Sequence, residues 1–163
     1  MLRDKNLVPL SHQHQHALAL CVRIDRDLEA GGRDLAAWQE EIVQAFASEI
    51  HYHFEAEEKV LFPAAAKHTA MAPLVEQLLG EHAVLRGFFA GAELKQLDAP
   101  ALAAFVEKLS QHVRTEERQL FELCQQVMSE EELTRLGTAL ETYFEHSGMP
   151  GASCALRPGS PPE

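Results

Sequence analysis

The sequence has few cysteines, few basic residues and no long apolar run, and each shortage excludes a class of protein. Its three cysteines, Cys21, Cys124 and Cys154, form no CxxC pair, which predicts a reducing compartment without a disulfide framework. No apolar stretch approaches the ~20 residues of a membrane helix. The first ten residues also lack the apolar core of a signal peptide. We therefore expect a soluble, cytoplasmic protein without a membrane partner.

Basic residues are outnumbered, since 14 Lys and Arg stand against 25 Asp and Glu, for a formal net charge of −11. Such a charge repels polyanions, so nucleic acid is not expected as a partner. The 163 residues and a hydrophobic fraction of 46% are typical of one globular domain. The abundant residue is histidine, with nine copies against one Trp and two Tyr. Histidine is the commonest metal ligand and transfers protons near neutral pH.

Apolar residues recur at steps of three and four nearly throughout the chain, which is typical of α-helices. Five helices are predicted, at about 10–30, 35–62, 73–95, 99–128 and 129–146. Ser11 and Asp34 are the expected N-caps of the first two, Pro63 is the expected end of the second, and Ser129 with Glu132 forms a capping box.

Four long helices joined by short loops predict an all-α, up-down-up-down four-helix bundle with an additional short C-terminal helix. We assign residues 1–147 to this domain. Residues 148–163, rich in Gly, Pro and Ser, are predicted to be a disordered C-terminal tail.

Each long helix carries an apolar stripe at bundle spacing, and one histidine interrupts each stripe: His14, His53, His82 and His112. On the second and fourth helices a glutamate follows one turn later, at Glu57 and Glu116. Residues four apart lie on one helix face, so each such pair can reach the same ion. The full stripe predicted for the second helix is Val43, Phe46, Ile50, His53, Glu57 and Val60.

Two glutamates in a bundle core require a compensating positive charge, because an uncompensated buried carboxylate costs several kcal/mol. The segments HFEAEEKVLF from His53 and HVRTEERQLF from His112 share the pattern H-x-x-x-E-E-x-x-L-F. This repeat indicates a two-metal centre on the bundle axis. Each ion would receive two histidine nitrogens, two bridging glutamate oxygens and an oxo or hydroxo bridge, which leaves a position open. That donor set suits two non-haem iron ions better than zinc, although zinc or manganese stays an alternative.

Neighbouring side chains leave alternatives at this site. His12 or His16 replaces His14 if the register of the first helix differs. Glu58 and Glu117 follow the two stripe glutamates and are expected to face solvent, with two alternatives: either one joins the site or contacts a ligand histidine from outside.

The chain resembles the hemerythrin family, specifically its HHE cation-binding domain. The resemblance covers about residues 7–128 and lies in SHQHQHAL, HFEAEEKVLFP, GEHAVL and HVRTEERQLF. It implies a four-helix bundle with a di-iron centre. It also implies six ligands: His14, His53, Glu57, His82, His112 and Glu116.

The chain departs from the oxygen-carrying members of that family in two places. Those members have a second histidine on the third helix, where this chain has Arg86. They also place a carboxylate five residues after the histidine of the fourth helix, at Glu117, whereas the HHE-type pattern favours Glu116. Both departures favour the broader HHE group over reversible oxygen transport. That group is associated with iron binding and with sensing or handling O2, NO or peroxide.

Three functions stay open at this stage. The first is a non-catalytic di-iron module that binds or senses a diatomic ligand or peroxide, or that holds iron. The second is a di-iron oxidoreductase of the peroxidase or oxidase type, and the third is a structural metal-binding or interaction bundle. The sequence favours the first, because it shows no clear substrate pocket or proton donor for an enzyme. A homodimer is left open.

Overall fold

Five helices make up the computed structural model, which describes residues 2–32 and 34–150. Helix α1 covers Val8–Glu29, α3 covers Ala72–Glu93 and α5 covers Glu130–His146. Helices α2 and α4 run over 35–65 and 99–127 and contain π-helical turns. No strand occurs among the described residues, so the all-α prediction is confirmed.

Helices α2 and α4 are continuous but not uniform. Helix α2 consists of Leu35–Ala45, the π turn Phe46–Ile50, His51–Ala56, the π turn Glu57–Leu61, and Phe62–Ala65. Helix α4 consists of Ala99–Thr115, the π turn Glu116–Leu120, and Phe121–Val127. A π turn holds one residue more than an α turn, so it shifts which residues face the core on either side of it.

The helix ends agree with the predicted signals in two cases and differ in two. Asp34 accepts a hydrogen bond from the Ala37 N–H, and the capping box at Ser129 is complete. Ser11 is not an N-cap, because α1 already begins at Val8, where Pro9 suits the first turn. Pro63 does not end α2, since the π turn before it already lacks the regular hydrogen bonds that proline would break.

The two glutamate-containing π turns begin at the same place in the repeated motif. The Phe62 N–H donates to the carbonyl of Glu57, and the Phe121 N–H donates to the carbonyl of Glu116. Both phenylalanines are buried as a result. The stripe predicted for α2 is therefore wrong at its ends: Ile42 and Leu61 are fully buried, whereas Val43 and Val60 are only half-buried.

The core consists of two apolar clusters with a polar layer between them. One cluster includes Leu10, Leu78 and Phe121 and is completed by α5 through Leu136 and Leu140. The other cluster is built around side chains from all four long helices, namely Ile24, Ile42, Phe89 and Phe105. The polar layer is thus covered by an apolar cluster at each of its two ends.

Two sequence-based expectations meet the structure only in part. No helix of the described residues is both long and apolar enough to cross a membrane. The disordered tail was predicted for residues 148–163, and its part from residue 151 onward lies outside the described residues.

Helix α5 approaches the N-terminal segment closely at Gly137, which gives a stability test. A Cβ there would lie 2.2 Å from Asn6 Oδ1 and 2.8 Å from Asn6 Cβ, whereas nothing lies within 4 Å of a Cβ at Gly80 in α3. We expect Gly137→Ala to lower the free energy of unfolding by about 1–3 kcal/mol through overpacking. The matched change Gly80→Ala should raise it by about 0.5–1 kcal/mol, since alanine is the better helix former. Urea unfolding curves measure both, and stabilisation by both changes would contradict the close approach.

Candidate metal centre

All six residues predicted as metal ligands lie together in the middle layer of the bundle. Four helices contribute, with His14 from α1, His53 and Glu57 from α2, His82 from α3, and His112 and Glu116 from α4. Their ligand atoms form two overlapping groups that share Glu57 and Glu116, and within each group the atoms lie within 4.8 Å of one another. Each of the six residues is buried.

The first group pairs His14 with His53. Their Nε2 atoms lie 3.0 Å apart. Glu57 Oε1 lies 3.1 Å from the Nε2 of His53, and Glu116 Oε2 lies 3.0 Å from the Nε2 of His14. Two nitrogens and two carboxylate oxygens thus surround one point.

The second group repeats this arrangement with His82 and His112. Their Nε2 atoms lie 3.1 Å apart. Glu57 Oε2 lies 3.3 Å from the Nε2 of His82, and Glu116 Oε2 lies 3.4 Å from the Nε2 of His112. Each glutamate therefore faces both histidine pairs, as a bridging carboxylate does.

The other histidines lie away from this layer. His12 and His16 are exposed, and His16 pairs with Glu49, so His14 is the α1 histidine that joins the cluster. His51 is half-buried beside Glu55, and His68 contacts Glu132. The register of α1 inferred from the sequence is the one that the structure shows.

Every histidine of the cluster is held from behind by an oxygen acceptor. Each Nδ1 lies 2.7–2.9 Å from a side-chain oxygen: Glu117 for His14, Gln13 for His53, Glu58 for His82 and Glu81 for His112. Carboxylate and amide oxygens accept hydrogen bonds, so in the neutral imidazole Nδ1 carries the proton and the Nε2 lone pair points inward. Two such lone pairs at 3.0–3.1 Å repel one another unless a cation lies between them.

For two of these supporting residues, sequence reasoning named the contact only as an alternative to a solvated side chain. In the structure Glu58 and Glu117 contact histidines from outside the cluster. Gln13 and Glu81 were missed, although each directly precedes a stripe histidine. Gln13 and Glu81 lie on the side of their helices that meets the next helix, where they reach His53 and His112.

The glutamates of the cluster have no hydrogen-bond donor. Within the described chain, none of the four carboxylate oxygens of Glu57 and Glu116 receives a hydrogen bond, although both side chains are fully buried. Buried carboxylates normally accept several hydrogen bonds or bind a cation. These oxygens, together with inward-facing imidazole nitrogens, fit a metal site.

The motif phenylalanines close the cluster on one side. The Phe121 ring stacks on His14, with ring centroids 5.5 Å apart, and Phe62 lies 5.4 Å from His82. Phe54 stacks on His82 from the other side at 3.9 Å. These rings cover the faces of the His14 and His82 imidazoles and restrict how those imidazoles can turn.

Arginines at the bundle surface neutralise two of the supporting glutamates. Arg86 donates to Glu58 at 2.6 Å, and Arg3 donates to Glu117 at 2.7 Å. Arg86 occupies the position of a ligand histidine in the oxygen carriers that the sequence resembles. Here it does not face the cluster and instead forms an ion pair with Glu58, which contacts His82. It is half-buried rather than a free surface residue.

The carboxylates shift the titration of the cluster. Burial alone would lower the pKa of His14, but Glu116 and Glu117 outweigh burial and raise it to about 10. The same balance raises the pKa of His82, where Glu57 and Glu58 act against burial. His112, aided by Gln77, lowers the pKa of Glu81 to about 2 against a smaller effect of burial. The cluster therefore attracts positive charge.

A small cavity adjoins the first histidine pair. It is lined by His14, His53 and His112 together with apolar side chains, Phe54, Leu109 and Val113 among them. Its volume, counted as the space open to the centre of a water-sized sphere, is about 10 Å³. That is about enough for one water molecule or a molecule of similar size.

Comparison with protein families gives one match. The model of the hemerythrin HHE cation binding domain matches residues 8–124, which contain the whole cluster and its supporting residues. No curated protein and no solved structure shows significant similarity to the chain.

The raised pKa of His14 predicts how pH changes the effect of a metal on stability. In metal-free protein, the raised pKa lets the folded state hold this proton up to about pH 10, whereas an ordinary histidine loses it near pH 6.5. The proton's stabilising contribution is therefore complete below pH 6.5 and is lost as the pH rises through 10. A bound cation displaces the proton, so the gain in melting temperature on adding Co²⁺ should increase between about pH 6.5 and pH 9. Thermal unfolding with and without Co²⁺ measures this gain, and a gain that shrinks over that range would contradict the assignment.

Proposed function

Because the chain belongs to the hemerythrin HHE cation-binding domain family, we propose that its bundle holds two metal ions side by side. The observation that carries the proposal is the pair of inward-facing imidazole couples around four carboxylate oxygens without a donor. The proposed ligands are His14, His53, Glu57, His82, His112 and Glu116.

Iron is the metal that this donor set suits best. Each ion would receive two imidazole nitrogens and oxygens from two bridging glutamates, and Glu57 and Glu116 are placed to serve both. Neither buried free cysteine, Cys21 or Cys124, belongs to the cluster. Structural zinc sites, by contrast, are closed and often contain cysteine. Iron bound there supplies reversible redox chemistry and an open position for a small ligand.

The proposed activity is the binding or sensing of O2, NO or peroxide, or the holding of iron. The cavity beside His14 and His53 supports it, because a space of about 10 Å³ next to this histidine pair suits a molecule of about the size of water. His53 and His14 keep their Nε2 atoms toward the ions while Gln13 and Glu117 fix the ring orientations. We further propose a cytoplasmic location, with which the two buried free thiols agree.

A peroxidase is the second candidate. Glu49 lines the same cavity and is half-buried, so a carboxylate lies beside the space that peroxide would occupy. Such a group can move a proton during the cleavage of peroxide. On its exposed side Glu49 contacts His16, with 2.9 Å between Oε1 and Nδ1.

The ligand assignment is tested by paired histidine substitutions. His14→Ala and His53→Ala should each lose at least one of two equivalents of iron, because each removes a nitrogen that faces the first ion. The matched changes His16→Ala and His51→Ala lie two residues away on the same helices and should keep both equivalents. Metal analysis of anaerobically purified protein gives the count, and circular dichroism checks the helices. Two equivalents in His14→Ala would overturn the assignment.

Absorption spectra separate the candidate functions. Charge-transfer bands that appear with O2 or NO and disappear on removing the gas support a binding or sensing module. Turnover of peroxide with an added electron donor, lost in Glu49→Gln, supports the peroxidase. Bound zinc without any such bands contradicts both and leaves a structural metal site.

A further inference from the structure

The two halves of the cluster are related by an internal repeat, yet they differ at one supporting position. In both halves the residue before the stripe histidine accepts the Nδ1 proton of the histidine on the next helix. That residue is Gln13 in the first half and Glu81 in the second. The neutral amide faces His53, and the carboxylate faces His112.

Glu81 is a charged group built into its place. Its Oε2 accepts from His112 at 2.9 Å, and its Oε1 accepts from Gln77 at 3.0 Å. The Lys108 ammonium lies 3.6 Å from the same Oε1 and offsets part of the charge from the solvent side. The side chain is only 10% exposed, so water screens it little.

Gln13 carries no charge and hydrogen-bonds His53 and Met149, although Glu49 lines the same cavity. Its Oε1 accepts from His53 at 2.7 Å, and its Nε2 donates to the sulfur of Met149 at 3.6 Å. The thioether is a weak acceptor and brings no charge. This half therefore lacks the negative charge that Glu81 adds to the other.

The remaining supporting charges match between the halves. Glu117 with Arg3 stands behind His14, and Glu58 with Arg86 stands behind His82. The ion-pair distances are 2.7 and 2.6 Å. The two pairs are similar, although Arg3 also lies 3.5 Å from Glu122. Among the side chains that accept directly from the Nδ1 atoms, the difference in charge between the halves is Gln13 against Glu81, with Lys108 beyond it.

A carboxylate behind an imidazole makes that imidazole a better ligand. It accepts a charge-assisted hydrogen bond from Nδ1–H and so raises the electron density at Nε2. Its own charge also attracts a cation across the ring. An amide does both more weakly.

We propose that the ion between His82 and His112 binds more tightly than the ion between His14 and His53, and that Glu81 and Gln13 set this order as positioning residues. The inference rests on the proposed two-ion function. The more weakly held ion is then the one whose two histidines both line the small cavity. The half that is open to an incoming ligand is thus the half with less supporting charge.

Stepwise Co²⁺ binding to the whole protein, measured against a competing chelator, tests the order. The wild type should bind two ions in steps that differ by about 10- to 100-fold in affinity. Glu81→Gln should weaken the first step by about 10-fold or more and leave the second unchanged. Gln13→Glu should tighten the second step and leave the first unchanged. The double variant should restore two separated steps.

Single-ion backgrounds assign each step to its histidine pair. His53→Ala leaves the second pair complete, so Glu81→Gln in that background should weaken Co²⁺ binding by about 10-fold or more. His112→Ala removes the partner of Glu81, so the same substitution should be silent there. If Glu81→Gln weakened Co²⁺ binding equally in both backgrounds, its effect would be structural and the proposal would be overturned.

The two levels of the proposal fail differently. Two Co²⁺ ions bound with equal affinity, or steps that ignore the Gln13 and Glu81 exchange, overturn the order of binding and leave the two-ion centre standing. Binding of fewer than two ions by the wild type overturns the two-ion function itself.

Discussion

The structure depends on the burial of two carboxylates at the centre of a helical bundle. Glu57 and Glu116 are fully buried and accept no hydrogen bond from the described residues. Removing a carboxylate from water costs several kcal/mol unless positive charge comes close to it. The four surrounding imidazoles bring nitrogen ligands, and the protons that the carboxylates favour on His14 and His82 supply part of the positive charge in metal-free protein. A bound metal ion would supply that charge in place of the protons. The arrangement is therefore best understood as a fold built around an ion-binding layer.

The rest of the bundle isolates and orients that layer. Two apolar clusters close it from both sides, and α5 completes one of them. The π turns at Glu57 and Glu116 rotate each helix so that the glutamate and the later phenylalanine both face inward. Behind the imidazoles, four acceptors fix which nitrogen carries the proton. The central geometry thus follows from backbone register, apolar packing and hydrogen bonding together.

The helices and the grouping of six side chains could be predicted from the sequence, because both follow from the periodic spacing of apolar residues. His14, His82 and His112 lie on stripes whose 3-4 spacing the structure keeps. The stripe of α2 slipped by one residue at Ile42 and Leu61, since a π turn adds a residue that no regular period contains. Gln13 and Glu81 were missed because a residue beside a stripe resembles any half-exposed polar residue until the neighbouring helix is placed. Ser11 failed as a cap because Pro9 starts the helix earlier.

Hydrogen bonds cross between the two helical hairpins, since Glu58 accepts from His82 and Glu117 accepts from His14, and this crossing bears on when a site can first exist. Each histidine pair belongs to one helical hairpin, but both groups of ligands need Glu57 from the first hairpin and Glu116 from the second. During synthesis on the ribosome, the first hairpin emerges with His14, His53 and Glu57 and still lacks Glu116 and Glu117. Neither ion position is complete until the fourth helix has been made and docked. A metal ion held by either complete group of ligands would therefore bind only after both hairpins have packed together.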